Sequence, residues 1–221
     1  MVSTILDTST ELDDVPMTGR LRMTYDEYVD WYDKEAGRRG EWVDGEVIAF
    51  MSTTFLHDEI VMFLGTLLNA ILRRRRAGVV VGMTYELRTR DGTAREPDLM
   101  VILTEHRDRI TNQRLVGAAD LVVEVILTDS VSRDREVKFD EYEAVGIPEY
   151  WIVDPRRGSE AFDLFVLDQR GKYVAARPDA DGRLYSAIVP GVWIDPAWLL
   201  ADELPEPVEL VLQMSGTPRL Q

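Results

Sequence analysis

Two short apolar runs, each broken by a carboxylate, constrain this chain more than any other feature. The first reads Glu96-Pro97-Asp98-Leu99-Met100-Val101-Ile102-Leu103, the second Asp120-Leu121-Val122-Val123-Glu124-Val125-Ile126-Leu127. Neither alternates apolar with polar residues, which is the pattern of strands covered on both faces. A carboxylate left unpaired in such a strand costs on the order of several kcal/mol, so Asp98 and Glu124 are expected to be protonated, ion-paired or metal-bound. A single acid of this kind is most often salt-bridged or placed near a strand end. Two on neighbouring strands bring hard oxygen donors together, a set that suits Mg²⁺ or Mn²⁺.

The segment from Ser132 to Gly146 reads as a helix, capped by Ser132 or Asp134 and closed by Gly146. Lys138, Tyr142 and Val145 fall at i, i+4 and i+7, on one face. Lys138 then either lays its stem on apolar surface with its head in water, or turns its ammonium towards the strand carboxylates as a catalytic cation.

Asp98 after Pro97, Glu124 in a strand and a following Lys138 resemble the PD-(D/E)XK nuclease superfamily. The lysine of that superfamily usually follows the acid by two residues, and Ile126 stands there. The chain more closely resembles the Uma-two family of proposed restriction endonucleases, in which the lysine sits on the next helix. The matching residues are Glu41 with Asp44-Gly45-Glu46, His57, Glu96-Pro97-Asp98, Val123-Glu124-Val125, Asp134 with Lys138 and Tyr142, and the run from Gly146 to Pro155. The likeness covers roughly residues 20 to 200. The turn after Glu124 departs from it, reading Leu127-Thr128-Asp129-Ser130 where the family has a Ser-Pro-rich turn.

The resemblance implies an α+β fold with an α/β-like core: a restriction endonuclease-like mixed sheet flanked by helices, in the order helix, three strands, helix, strand, with added β-hairpins. It also implies Asp98, Glu124, Lys138 and Glu41 as catalytic residues. A Mg²⁺ or Mn²⁺ ion would be held by Asp98, Glu124 and the Val125 carbonyl, and His57, Arg95 and Arg135 would contact nucleic acid. In isolation Glu41 reads as a solvated strand residue and His57 as structural or solvent-facing.

The rest of the chain fits around this core. Thr24 and Glu27 form a capping box before a helix carrying Tyr25, Tyr28, Val29 and Tyr32 inward. Asp44-Gly45 turns a hairpin over residues 41–51. Phe55 to Arg76 is a long helix with a broad apolar stripe and four terminal arginines, which either complement the helix dipole or, with Arg88, Arg90 and Arg95, supply a phosphate-contacting edge. Val79 to Arg90 reads as one strand, Glu149 to Pro155 as another. Ala161–Leu167 and Lys172–Ala176 form a hairpin, Arg183–Val189 a strand, and residues 203–221 a loose C-terminal tail. Residues 1–20 read as a disordered arm, leaving one domain over 21–202.

Composition narrows the functions. The chain has no cysteine, which excludes disulfides and thiolate chemistry, and its two histidines make a zinc site improbable on composition. His106 lies in a polar loop and is expected to face solvent. No phosphate-binding Gly-rich loop and no Gly-x-Ser-x-Gly elbow occurs. No run reads as a membrane span and no leader is evident, so a cytoplasmic location is expected. A net charge of −15 argues against a protein that coats nucleic acid non-specifically, but leaves room for a local basic groove. The expected activity is metal-dependent hydrolysis of DNA, with homodimerisation to cut both strands. The alternatives are a catalytically inactive binding or assembly module, or a hydrolase of another phosphoester.

Overall fold

The computed structural model describes residues 20–34, 40–49, 53–82, 84–90, 92–201 and 203–215. The expected disordered arm lies outside them, save Arg20. In chain order the elements are β1 (Arg20–Arg22), α1 (Tyr25–Lys34), β2 (Gly40–Val43), β3 (Glu46–Ala49), α2 (Phe55–Arg75), β4 (Gly78–Gly82), β5 (Glu86–Arg88), β6 (Thr93–Ala94) and β7 (Leu99–Leu103). There follow β8 (Arg114–Val116), β9 (Leu121–Val125), a π-helical turn (Arg133–Val137) leading into α3 (Lys138–Ala144), β10 (Glu149–Asp154), β11 (Ala161–Leu167), β12 (Tyr173–Ala175), β13 (Leu184–Tyr185), β14 (Trp193–Ile194) and α4 (Pro207–Ser215).

These elements fall into two compact units. The smaller comprises Met1–Ser52 with Gly92–Ala94, the larger Thr53–Asp91 with Arg95–Gln221. In the smaller unit the strands run β1-β3-β2-β6. Asp44 and Gly45 both take positive φ, 48° and 88°, as an Asp-Gly hairpin turn requires. The capping box forms as expected, with the Thr24 N–H on Glu27 at 2.7 Å and the Glu27 N–H on Thr24 Oγ1 at 3.3 Å. Tyr28, Trp42, Val47 and Ala94 make its core.

The larger unit holds a six-stranded mixed sheet, β12-β11-β10-β9-β7-β4, in which β9 and β10 are parallel and the other pairs antiparallel. The expected order of helix, three strands, helix, strand is met by α2, β4, β7, β9, α3 and β10. Side-chain alternation sorts each central strand between two cores. Leu99, Val101, Val123, Val125, Trp151 and Val153 pack with α2 and α4. Met100, Ile102, Val122, Ile126, Tyr150 and Ile152 pack on the other face with Tyr142 of α3. Both faces are covered, and this is why the two runs read without alternation.

Several elements differ from the sequence expectation, each for a local reason. Val79–Arg90 is two strands, not one: the Thr84 N–H bonds back to the Gly82 carbonyl at 2.9 Å, and β5 leaves to pair in parallel with β8. Arg183–Val189 forms only the short strand β13, because the N–H groups of Ala187 and Ile188 go to the Glu149 carboxylate at 2.7 and 2.9 Å instead of to a ladder. The expected loose tail contains α4, with Pro207 as its first residue and Leu210 and Met214 buried against the α2 core. Arg75 donates to the Met214 carbonyl at 3.1 Å and to the Pro190 carbonyl. His106 also has a partner, with Nδ1 2.7 Å from Asp120 Oδ1. Finally, α2 is long and apolar enough to cross a membrane by length and composition, contrary to expectation, and half of that window is buried inside the fold.

Glu149 generates a pH dependence. Its carboxylate receives the Trp151 indole N–H at 2.5 Å as well as the Ala187 and Ile188 amides. Burial pushes its pKa above the ordinary 4.5, outweighing hydrogen bonds that pull it down. The native state then holds the extra proton, so stability falls as pH rises from the unfolded value through the folded one. Glu149→Gln does not titrate. In urea unfolding its stability deficit against wild type is expected to be largest on the acid side and to shrink towards neutral pH. A deficit that grows with pH would contradict this.

Candidate active site

Glu124 is the fourth residue of the five in β9, and its neighbours leave it no water. Only 3% of it is exposed. The β9–β10 register pairs it with Ile152, and it shares the α3 face of the sheet with Val122 and Ile126. Its Oε1 accepts the Lys138 ammonium at 2.8 Å and the Tyr142 hydroxyl at 2.9 Å. The inward turn of Lys138, one of two alternatives in the sequence, is therefore the one realised.

A π-helical turn leads into α3, with the Lys138 N–H on the carbonyl of Arg133, five residues back. Lys138 and Tyr142 stand four apart on the regular helix that follows, and both reach Glu124 Oε1. The expected cap does not form. Ser132 bonds Glu136 instead at 2.9 Å, and Asp134 lies inside the turn, 2% exposed, with Oδ1 3.3 Å from the Lys138 ammonium. Asp134 Oδ1 has no hydrogen-bond partner among the described residues. Gly146 does close the helix, at φ 78°, with the Ile147 N–H on the Tyr142 carbonyl at 3.0 Å.

Asp98 stands at the mouth of β7. The antiparallel register pairs Leu99 with Val123, which sets Asp98 opposite Glu124. Its Oδ2 accepts the Val125 N–H at 2.7 Å, and its Oδ1 lies 3.3 Å from His57 Nε2. Gly82 packs against its backbone: a Cβ there would sit 2.3 Å from the Asp98 carbonyl oxygen. A fifth of the Asp98 side chain is exposed, so solvent reaches the site from this side.

His57 is buried at the start of α2. Its N–H bonds the Thr54 cap at 3.2 Å, and Nδ1 lies 3.1 Å from Asp58. Burial disfavours the charged ring, but Asp98 and then Asp58 outweigh it and raise its pKa. Tyr150 donates to the Asp134 carbonyl at 2.9 Å. Burial, then the charges of Glu124 and Asp134, push its phenol well above the ordinary range, so it stays a neutral donor.

Asp98, Glu124, Val125, Lys138 and His57 thus gather at one end of the sheet. Glu41 belongs to β2 of the smaller unit and is fully buried. Arg95, expected on nucleic acid, is 1% exposed and holds Glu141 through two hydrogen bonds of 2.7 and 2.8 Å. Arg135 is one-third exposed and holds Asp163 at 2.8 Å, with Asp154 at 3.6 Å. Asp134 was expected as a helix cap and Tyr142 as a residue on the Lys138 face, not as partners of Lys138 and Glu124, although the i, i+4 spacing around Lys138 was the available signal; Gly82 had no role assigned and carried no signal.

The donor set fits a divalent cation of the hard class. Asp98 and Glu124 are opposed carboxylates on neighbouring strands, and Mg²⁺ commonly takes one or two protein carboxylates and keeps its waters. No group of three or more His, Asp or Glu side chains suited to a metal occurs among the described residues. Any further ligands would be backbone, water or substrate oxygens.

The larger unit is thus a mixed sheet between helices, with opposed carboxylates and a lysine at one end. A solved structure of a "putative nuclease" from Anabaena variabilis shares the fold with a TM-score of 0.62 and 16% identity, over 80% of this chain and 97% of that one. Residues 25–197 match the model of the Uma2 family, described as "Putative restriction endonuclease", and the chain belongs to that family. An uncharacterized protein from Synechocystis is 25% identical over 123 residues, 55% of this chain and 70% of the relative.

Lys138 has a structural part as well, since it is the cation between two buried carboxylates. Lys138→Met would leave Glu124 and Asp134 buried without their cation, and breaking a buried pair in this way costs about 3–5 kcal/mol. Chemical denaturation is expected to show a loss of that order. A loss below about 1 kcal/mol would mean that the two carboxylates are neutral in the folded protein.

Proposed function

We propose that this protein hydrolyses phosphodiester bonds in DNA with Mg²⁺ or Mn²⁺ as cofactor. The observation that carries this reading is the convergence of Asp98, Glu124 and Lys138 at one sheet end, two hard carboxylates and an ammonium held within a covered fold. A divalent cation held by Asp98 and Glu124, with the Val125 carbonyl, would supply Lewis-acid activation of the scissile phosphate and a water of lowered pKa.

The protein's own groups do the rest. The Val125 N–H fixes one oxygen of Asp98, and His57 stands against the other. Tyr142 and Lys138 fix Glu124 Oε1. Lys138 would place a positive charge where negative charge grows on the phosphate, and its ammonium would hold the attacking water by donating a hydrogen bond to it. Groups of this kind are worth about 10²- to 10⁴-fold in rate. A non-catalytic binding role is the second reading, favoured by the net charge of −15.

The test is incubation of plasmid, linear duplex and single-stranded DNA, with RNA alongside, in Mg²⁺ or Mn²⁺. Wild type is expected to cleave DNA and to stop on addition of a chelator, and Asp98→Asn is expected to lose at least about 10²-fold. Cleavage of none of the substrates, or wild-type rates in Asp98→Asn, would contradict the proposal.

A further inference from the structure

We propose that Arg95 and Glu141 form a positioning clamp that sets Lys138 and Tyr142 against the Asp98–Glu124 pair. Its catalytic consequence rests on the nuclease reading above. Arg95 precedes Asp98 by three residues, and Glu141 stands between Lys138 and Tyr142 on α3, one residue before Tyr142. One side-chain contact therefore spans the two segments that carry the carboxylate Asp98 and the cation Lys138.

The arginine end of the clamp is anchored through its backbone. The Arg95 N–H bonds the Leu87 carbonyl at 3.1 Å, and the Leu87 N–H bonds the Arg95 carbonyl at 2.7 Å, so the arginine backbone is fixed to β5. Its guanidinium meets Glu141 as a fork, Nε to Oε2 at 2.8 Å and Nη2 to Oε1 at 2.7 Å. Two parallel charge-assisted bonds fix angle as well as distance. Residues three apart are neighbours on a helix, so the position imposed on Glu141 passes directly to Lys138.

The chemistry separates this role from two simpler ones. A buried ion pair is poorly suited to supplying stability alone, since a well-packed apolar pair commonly serves as well or better. What the fork adds is direction. A phosphate contact is also disfavoured, because 2% of the Arg95 side chain reaches solvent. Such a contact would lower the salt slope of DNA binding by about one on removal.

The experiment compares wild type with Arg95→Met, the apolar pair Arg95→Met/Glu141→Leu, and the reversed pair Arg95→Glu/Glu141→Arg. Each is measured for thermal unfolding, kcat, and DNA affinity across salt. Each is also scored for modification of Lys138 by an amine-acylating reagent, read by mass spectrometry. The apolar pair is expected to unfold within a few degrees of wild type and to bind DNA with the same affinity and slope. Its kcat is expected to fall by about 10²-fold, the scale of a small misplacement of a catalytic group. Lys138, protected in wild type, is expected to become modified, and the reversed pair to recover part of both properties. An apolar pair with wild-type kcat and a protected Lys138 would overturn the clamp, as would a reduced salt slope.

If wild type cleaves nothing, the nuclease reading falls, and modification of Lys138 alone decides the clamp. If the double variants do not fold, Arg95→Lys takes their place. It keeps the charge without the fork and is expected to show the same loss of kcat and of Lys138 protection. Retention of both would overturn the proposal.

Discussion

The bond between Lys138 and Glu124 is the interaction on which the rest of the structure depends. Glu124 lies in a strand whose two faces are covered by α2 and α3, and its carboxylate survives there through the ammonium at 2.8 Å and the Tyr142 hydroxyl at 2.9 Å. The pairing dictates how α3 must lie on the sheet, and so which residues of the preceding turn face inward. Asp134, in the π-helical turn, stands beside the same ammonium at 3.3 Å. Buried ion pairs are weak sources of stability but steep penalties when half-removed. The site therefore holds its charge arrangement at the expense of tolerance to substitution, a pattern expected where charge has a task beyond packing.

The buried placement of Asp98 and Glu124 was legible in the sequence because a carboxylate inside an unbroken apolar run has few affordable explanations. Helical spacing put Lys138 on the sheet-facing side of its helix but left its ammonium open between water and the carboxylates. The main sheet, the Asp44-Gly45 hairpin and the long helix α2 could be named from period and turn chemistry. What escaped depends on partners distant in the chain. Arg95 lies among turn residues and arginines, which reads as surface, yet its partner Glu141 is 46 residues away and draws it inside. Strand Arg183–Val189 failed for the same reason, since Glu149, a residue of another strand, takes the amides a ladder needs. The π-helical turn has no sequence signature in 132–138, and without it Asp134 reads as a cap. In α4 the prolines suggested a loose end, although Pro207 is a helix-start residue and Leu210 and Met214 stand at i, i+4.

The acidic surface and the nuclease-like site are compatible once local and global charge are separated. A net charge of −15 opposes approach of any polyanion at long range, and the effect weakens with salt. Arg95 and Arg156 are committed to partners within the fold, Glu141 and Asp154. Arg135, bonded to Asp163 and one-third exposed, is partly open to solvent. Membership of the Uma2 family covers residues 25–197, which contain all of the gathered site residues.

The most direct test of the central claim is anomalous diffraction from a crystal of the protein grown with Mn²⁺. The account predicts a single strong peak between the carboxylates of Asp98 and Glu124, with Lys138 still within reach of Glu124. A crystal that binds Mn²⁺ only elsewhere, or shows no peak with both carboxylates ordered as described, would contradict it.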